Sequence, residues 1–134
     1  MARKRYLVEL GFGADLHGED VTKSACRAVK DAVSRSCLCG LVEIMGMDGL
    51  DDVYVDILVT TSRPEDLELE RVKEMVPIGV KTVRAEFGGL TVEGICVDRF
   101  ARDCSSIVVA NAAVTVWVDS NDLVENIAAF RSGS

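Results

Sequence analysis

The sequence predicts an α/β (α+β) protein, with one mixed β-sheet and two or three helices packed on one face. Three observations predict it. Hydrophobic residues fill 49% of the 134 positions but aromatics only 5%, so the apolar material is mostly Val, Ala, Leu and Ile, which suits a sheet packed closely against slim helices. Strand-like and helix-like periodicities alternate along the chain instead of segregating. No repeat, low-complexity tract or linker divides it, so residues 1–134 read as a single domain of common size.

The elements follow in order. Tyr6 to Leu10 is a short β-leaning run that Gly11 and Gly13 are expected to break, giving a first strand and then a loop to Gly18. From Asp20 to Ser36 the apolar positions Val21, Ala25, Ala28, Val29, Ala32 and Val33 keep helical spacing, with Asp20 as N-cap and Gly40 just past the end. Leu41 to Met45 reads as a short strand, and Val53 to Thr60 as a better one with a buried face. Pro64 opens a second helix to about Met75, and Pro77 and Gly79 stop it. Val80 to Phe87 is a strand, Gly88-Gly89 a turn, and Thr91 to Val97 its expected hairpin partner. Ile107 to Val118 is β-branched and long for one strand, so a bulge or break is expected at Asn111. Asn121 to Phe130 has the spacing of a terminal helix.

Charge and cysteines narrow the function classes. A formal charge of −7 opposes binding to phosphate backbones or anionic lipid, so no nucleic acid or membrane partner is expected. No apolar run reaches the roughly 18 residues that a membrane span requires, and Glu9 and Asp15 interrupt anything like a signal peptide. Five cysteines without a C-x-x-C pair fit neither a disulfide framework nor a zinc module. They read as reduced thiols of a cytoplasmic protein with no native disulfide. Cys37-Leu38-Cys39 reads as two small hydrophobic residues at a helix end, with redox or metal chemistry as the alternative. The apolar segment Ile107 to Val118, with few helices to cover both sheet faces, predicts a homo-oligomer.

One segment looks like a site. Gly11, Gly13, Asp15, His17 and Gly18 crowd three glycines, an acid and the chain's one histidine between a strand and a helix, where ligands collect in open α/β sheets. A phosphate cradle fails, because Leu16 stands where a dinucleotide fingerprint needs a third glycine and Asp15, Glu19 and Asp20 repel an anion. A divalent metal is compatible with Asp15 and His17 as two ligands, although the rest must come from elsewhere. Acid/base chemistry needs one histidine held by a carboxylate, which makes Asp15 and His17 the candidate catalytic pair, with the Gly11, Gly13 and Gly18 backbone admitting a small-molecule ligand. The competing reading is a structural turn in a non-catalytic oligomeric or regulatory protein, with the glycines supplying positive φ and the polar side chains holding loop amides. Whether the chain is an enzyme is left open.

Those residues also carry a resemblance. Gly11-x-Gly13-x-Asp15-x-His17-Gly18 resembles the signature G-x-G-x-D-x-H-G of the "Lin" family of conserved hypothetical proteins, and the likeness extends through Ser36-Cys37-Leu38-Cys39-Gly40-Leu41, Val76-Pro77-Ile78-Gly79 and Asn111-Ala112-Ala113-Val114. The resemblance implies a single domain of this length in bacteria and plants, brings no activity with it, and favours a use for Asp15 and His17. A looser likeness is to the small trimeric α/β subunits of the chorismate-mutase/YjgF type, by analogy only.

Overall fold

A long amphipathic helix, α1 (Val21–Ser34), lies directly against the first strand, β1 (Arg3–Asp15). The computed structural model describes residues 2–94, 106–121, 128 and 131–133. Helix α1 forms as its spacing predicts. Val21, Ala25, Ala28, Val29 and Ala32 are buried on one side, and the Asp20 carboxylate accepts the Lys23 N–H at 3.0 Å, which occupies one of the first-turn amides.

Strand β1 does not stop at the glycines. It runs through Gly11 and Gly13 to Asp15, because those two positions face the helix backbone. A Cβ on Gly11 would sit 2.3 Å from the Ala28 carbonyl oxygen, and one on Gly13 would sit 2.4 Å from the Ala28 nitrogen and 2.5 Å from the Ser24 carbonyl oxygen. The glycines therefore mark a close backbone approach inside a strand, not the end of one.

The other strands are β2 (Tyr54–Thr61), β3 (Val80–Phe87), β4 (Leu90–Glu93) and β5 (Ser106–Asp119). They form one sheet in the order β1-β5-β2-β3, with β4 also paired to β5. Strands β2 and β3 are parallel, and β5 is antiparallel to β1, β2 and β4, so β1, β2 and β3 all point the same way. The expected break at Asn111 is absent. β5 is continuous because it is the central strand, flanked by β1 on one side and by β2 and then β4 on the other. Its even positions from Val108 to Val118 are buried with Val55, Ile57 and Val59 of β2 beneath the helices.

Three further expectations are corrected. Residues Cys39–Glu43 form a short helix, α2, not a strand, since Leu41 alone turns inward and the Ile44 and Met45 amides both donate to the Gly40 carbonyl. The second helix is split into a single 3₁₀ turn at Pro64–Asp66 and α3 at Leu69–Lys73. Strand β4 pairs with β5 and not with β3. The Gly88 N–H donates to the Thr61 carbonyl, and Gly89 at φ 73° passes so near Val109 that a Cβ would lie 2.2 Å from its carbonyl oxygen. The chain thus crosses the end of β2 and takes up the side of β5 that β2 leaves free beyond Asn111. The last residues of the expected Thr91 to Val97 strand, and most of the expected Asn121 to Phe130 helix, lie outside the described residues.

Among the described residues β1 pairs only with β5, which leaves its other edge to be satisfied by α1. Arg27 donates to the Ala14 carbonyl at 2.6 Å, Asp31 accepts the Phe12 N–H at 3.0 Å, and Arg35 donates to the Leu10 carbonyl. Those three side chains are four apart on one helix face, so a single stripe of α1 runs along the exposed edge. The Phe12 amide and then the Arg35 guanidinium hold the Asp31 carboxyl below the usual carboxylate range.

Close approach has a measurable cost. Gly11→Ala or Gly13→Ala should lower unfolding stability by about 2–3 kcal/mol, because the obstructing atoms are helix backbone and cannot swing away. Gly49→Ala, where a Cβ meets nothing within 4 Å, should change stability by less than about 0.5 kcal/mol in the same denaturant titration.

Candidate functional site

The predicted site residues divide between two roles. Asp15, at the end of β1, is 4% exposed and turned into the fold. Its Oδ2 accepts the Asp20 N–H at 2.9 Å, and its Oδ1 lies 3.5 Å from Arg27 Nη1. The carboxylate therefore ties together the strand end, the loop and the start of α1. His17 is half-buried on the loop between them. Gly18 has φ 102° and Glu19 φ 54°, so the chain reverses through two consecutive left-handed residues. Gly18 is needed for that φ and not for room, since its nearest neighbour, Asp15 Oδ2, would be 3.6 Å from a Cβ.

Gly11 and Gly13 lie back along β1 beneath α1, apart from this turn. The five candidates are thus brought into one region, but the glycines of the strand face helix backbone while Asp15, His17 and Gly18 build the turn. Arg63, just after β2, reaches across and donates to the Glu19 carbonyl. The Thr22 hydroxyl accepts the Glu68 N–H at 3.1 Å and joins α1 to the segment before α3.

Beside this turn opens a polar cleft of about 290 Å³, lined by Glu19, Ser62, Arg63, Thr91, Ser106 and Val108. It stands at the carboxyl ends of the parallel strands β1 and β2 and at the start of β5, the end of a sheet where α/β folds place ligands. Three hydroxyls and a guanidinium can donate into it, and Glu19 brings the Gly18–Glu19 turn to its wall. Arg63 is 43% exposed at its side chain, with one guanidinium nitrogen donating to the Glu19 carbonyl and another 3.8 Å from Asp66, and its remaining N–H groups can meet a ligand anion.

Sequence reasoning missed Ser62, Arg63, Thr91 and Ser106. Ser62 and Arg63 were findable in principle, since they directly follow a clear strand and strand ends are where ligands gather. Thr91 and Ser106 were not, because their place depends on β4 pairing with β5 across the end of β2. Among the described residues no group of three or more His, Cys, Asp or Glu side chains converges to hold a metal ion. A second, apolar cavity of about 200 Å³, lined in part by Val33, Leu38, Leu50 and Ile78, lies toward the other end of the sheet, and no predicted site residue touches it.

Comparison with known proteins gives a family and a fold. Residues 5–116 match the model of the family described as conserved hypothetical protein (Lin0512_fam), and the chain belongs to that family. A solved structure, described as an FtsZ-like protein of unknown function from Nostoc punctiforme, is 34% identical and superposes with a TM-score of 0.81, covering 89% of this chain and 98% of that one. The curated proteins contain no match. No helix among the described residues is long and apolar enough to cross a membrane.

Proposed function

We propose that this member of the family is a small-molecule-binding protein whose ligand sits in the polar cleft at the ends of β1 and β2. The observation that carries the reading is the convergence of Arg63, Ser62, Thr91 and Ser106 on one cleft, next to the turn that holds His17, Gly18 and Glu19. Arg63 would meet an anionic group, offsetting the Glu19 carboxylate on the cleft wall, and the hydroxyls would meet the polar remainder, so a small carboxylate or phosphate metabolite is the class that fits. His17, on that turn, is the acid/base candidate if the ligand is turned over. In this reading Asp15 sets the turn, and Gly11 and Gly13 set the helix on which it is built. The FtsZ-like description of the Nostoc punctiforme relative adds a likeness of fold and no ligand.

The structural alternative, a non-catalytic oligomeric or regulatory protein, is favoured by one observation. Both oxygens of Asp15 face groups inside the fold. Thermal shift with citrate, succinate and inorganic phosphate separates the two readings. Cleft binding predicts that at least one probe raises the wild-type melting temperature, that Arg63→Gln and Thr91→Val each abolish most of the rise, and that Asp15→Asn lowers stability by about 1–3 kcal/mol while leaving the rise in place. If no probe distinguishes wild type from Arg63→Gln and Thr91→Val, the cleft reading fails.

We also propose self-association through the sheet face that no helix among the described residues covers. Val8, Leu10 and Phe12 project from it, Leu10 and Phe12 at 62% and 69% exposure, which is costly for a monomer in water. Arg3 and Arg5 lie over the Tyr54 and Trp117 rings toward one end of the face, and Glu86 lies toward the other. A second copy related by a two-fold axis would bury the same apolar residues, Val8, Leu10 and Phe12, of both subunits, with Glu86 already paired to Arg84 within its own chain. Light scattering at micromolar concentration should report a dimer or larger, and Phe12→Asp should shift it toward monomer. A wild-type monomer at that concentration contradicts the proposal.

A further inference from the structure

The sequence reading of Cys37 and Cys39 as packing residues does not hold, because both side chains are exposed. Leu38 between them turns inward and is 9% exposed, which forces its two neighbours outward on either side of it. The backbone that carries them is held at both ends. The Ser36 N–H donates to the Val33 carbonyl and its hydroxyl to the Ala32 carbonyl, each at 3.0 Å, while the Leu41 N–H donates to the Leu38 carbonyl at 3.0 Å. Two free, exposed thiols are therefore carried one residue apart on a backbone held at both ends. Cysteine is among the most buried residue types, so a close exposed pair gains nothing from packing.

We propose that Cys37 and Cys39 form a redox-active dithiol that exchanges with low-molecular-weight disulfides, Cys37 attacking and Cys39 resolving. The Cys37 thiolate attacks one sulfur of the disulfide, breaking its S–S bond and releasing one half as a thiolate that takes a proton from water. Cys39, losing its own proton, then attacks the Cys37 sulfur of the mixed disulfide, which forms the Cys37–Cys39 bond and releases the other half as a second thiol. The protein dithiol loses two electrons, and the disulfide gains them to become two thiols.

The local hydrogen bonds assign the two roles. The Cys39 amide and then the Cys39 thiol donate to the Cys37 sulfur, which lowers the Cys37 thiol from its ordinary range, and the same thiol contact raises Cys39. Cys37 therefore carries more thiolate at neutral pH and is the better attacker. Cys26, on α1, is pushed the other way by burial. A disulfide that encloses a single intervening residue is a small, exposed ring, so the oxidised form should be labile and readily reduced.

The test uses the full chain equilibrated in mixtures of reduced and oxidised glutathione, trapped by alkylation and mapped by peptide mass. Wild type should give an intramolecular Cys37–Cys39 disulfide without a lasting glutathione adduct, whereas Cys39→Ser should stop at a stable adduct on Cys37. In single-turnover reaction with oxidised glutathione, Cys37→Ser should be slower than Cys39→Ser by about tenfold, the effect of removing the activated thiol. Because both positions are exposed, the two variants should melt within a few degrees of wild type, and that is checked first. Failure of wild type to form the internal bond, or a rate ratio between the variants below about threefold, overturns the proposal. A ratio above that with the internal bond present supports it.

Discussion

Direct contact between the backbone of α1 and the backbone of β1 is the constraint on which the rest of the structure depends. At Gly11 and Gly13 there is no side chain to hold the two elements apart, and the facing helix positions are Ser24, Ala28 and Ala32. A helix packed on a sheet through ordinary side chains stands about 10 Å away, and here the small residues on both partners bring it nearer. Closeness lets the short polar reach of Arg27, Asp31 and Arg35 extend over the strand edge to Ala14, Phe12 and Leu10. The same contact therefore builds the core on one side of the helix and closes a sheet edge with the other.

Placement of the turn follows from it. Because α1 begins close above the end of β1, the chain must reverse within a few residues, and it does so through Gly18 and Glu19 at positive φ with Asp15 buried beneath to hold the Asp20 amide. Arg63 fixes the far side of that turn from the end of β2. The polar cleft is what remains between the turn, the end of β2 and the beginning of β5. Its position follows from a packing geometry set at Gly11 and Gly13, five to eight residues before the turn at Gly18 and Glu19, which is why polar residues of the turn and glycines of the strand occur together in the sequence while serving different ends.

Much of the scaffold was legible. The 3.6-residue spacing of Val21, Ala25, Ala28, Val29 and Ala32 and the Asp20 cap mark α1 to within two residues, and Val80–Phe87 is a strand where the alternation places it. Gly11 and Gly13 misled because a glycine read locally signals a break, whereas the reason for these two is a helix that folds back onto them from further along the chain. Leu41 to Met45 misled for a related reason, since a five-residue apolar run has too few turns to show its period. The partner of β4 could not be read from the turn before it, because a Gly-Gly pair permits a hairpin and a crossing equally. Asp15 and His17 stand at one turn as near neighbours in sequence, but burial, which decides that Asp15 holds the fold together, is a property of the tertiary structure alone.

Native-state amide hydrogen exchange tests the α1–β1 contact most directly. If α1 is clamped on β1 as one unit, the Phe12 amide, although it points away from the sheet toward the edge, should exchange as slowly as the central amides of α1 and only through global unfolding, with the same dependence on denaturant. If Phe12 exchanges by local fraying, far faster than Val29 and independently of denaturant, then the helix does not guard the edge and the close contact is not what holds this fold together.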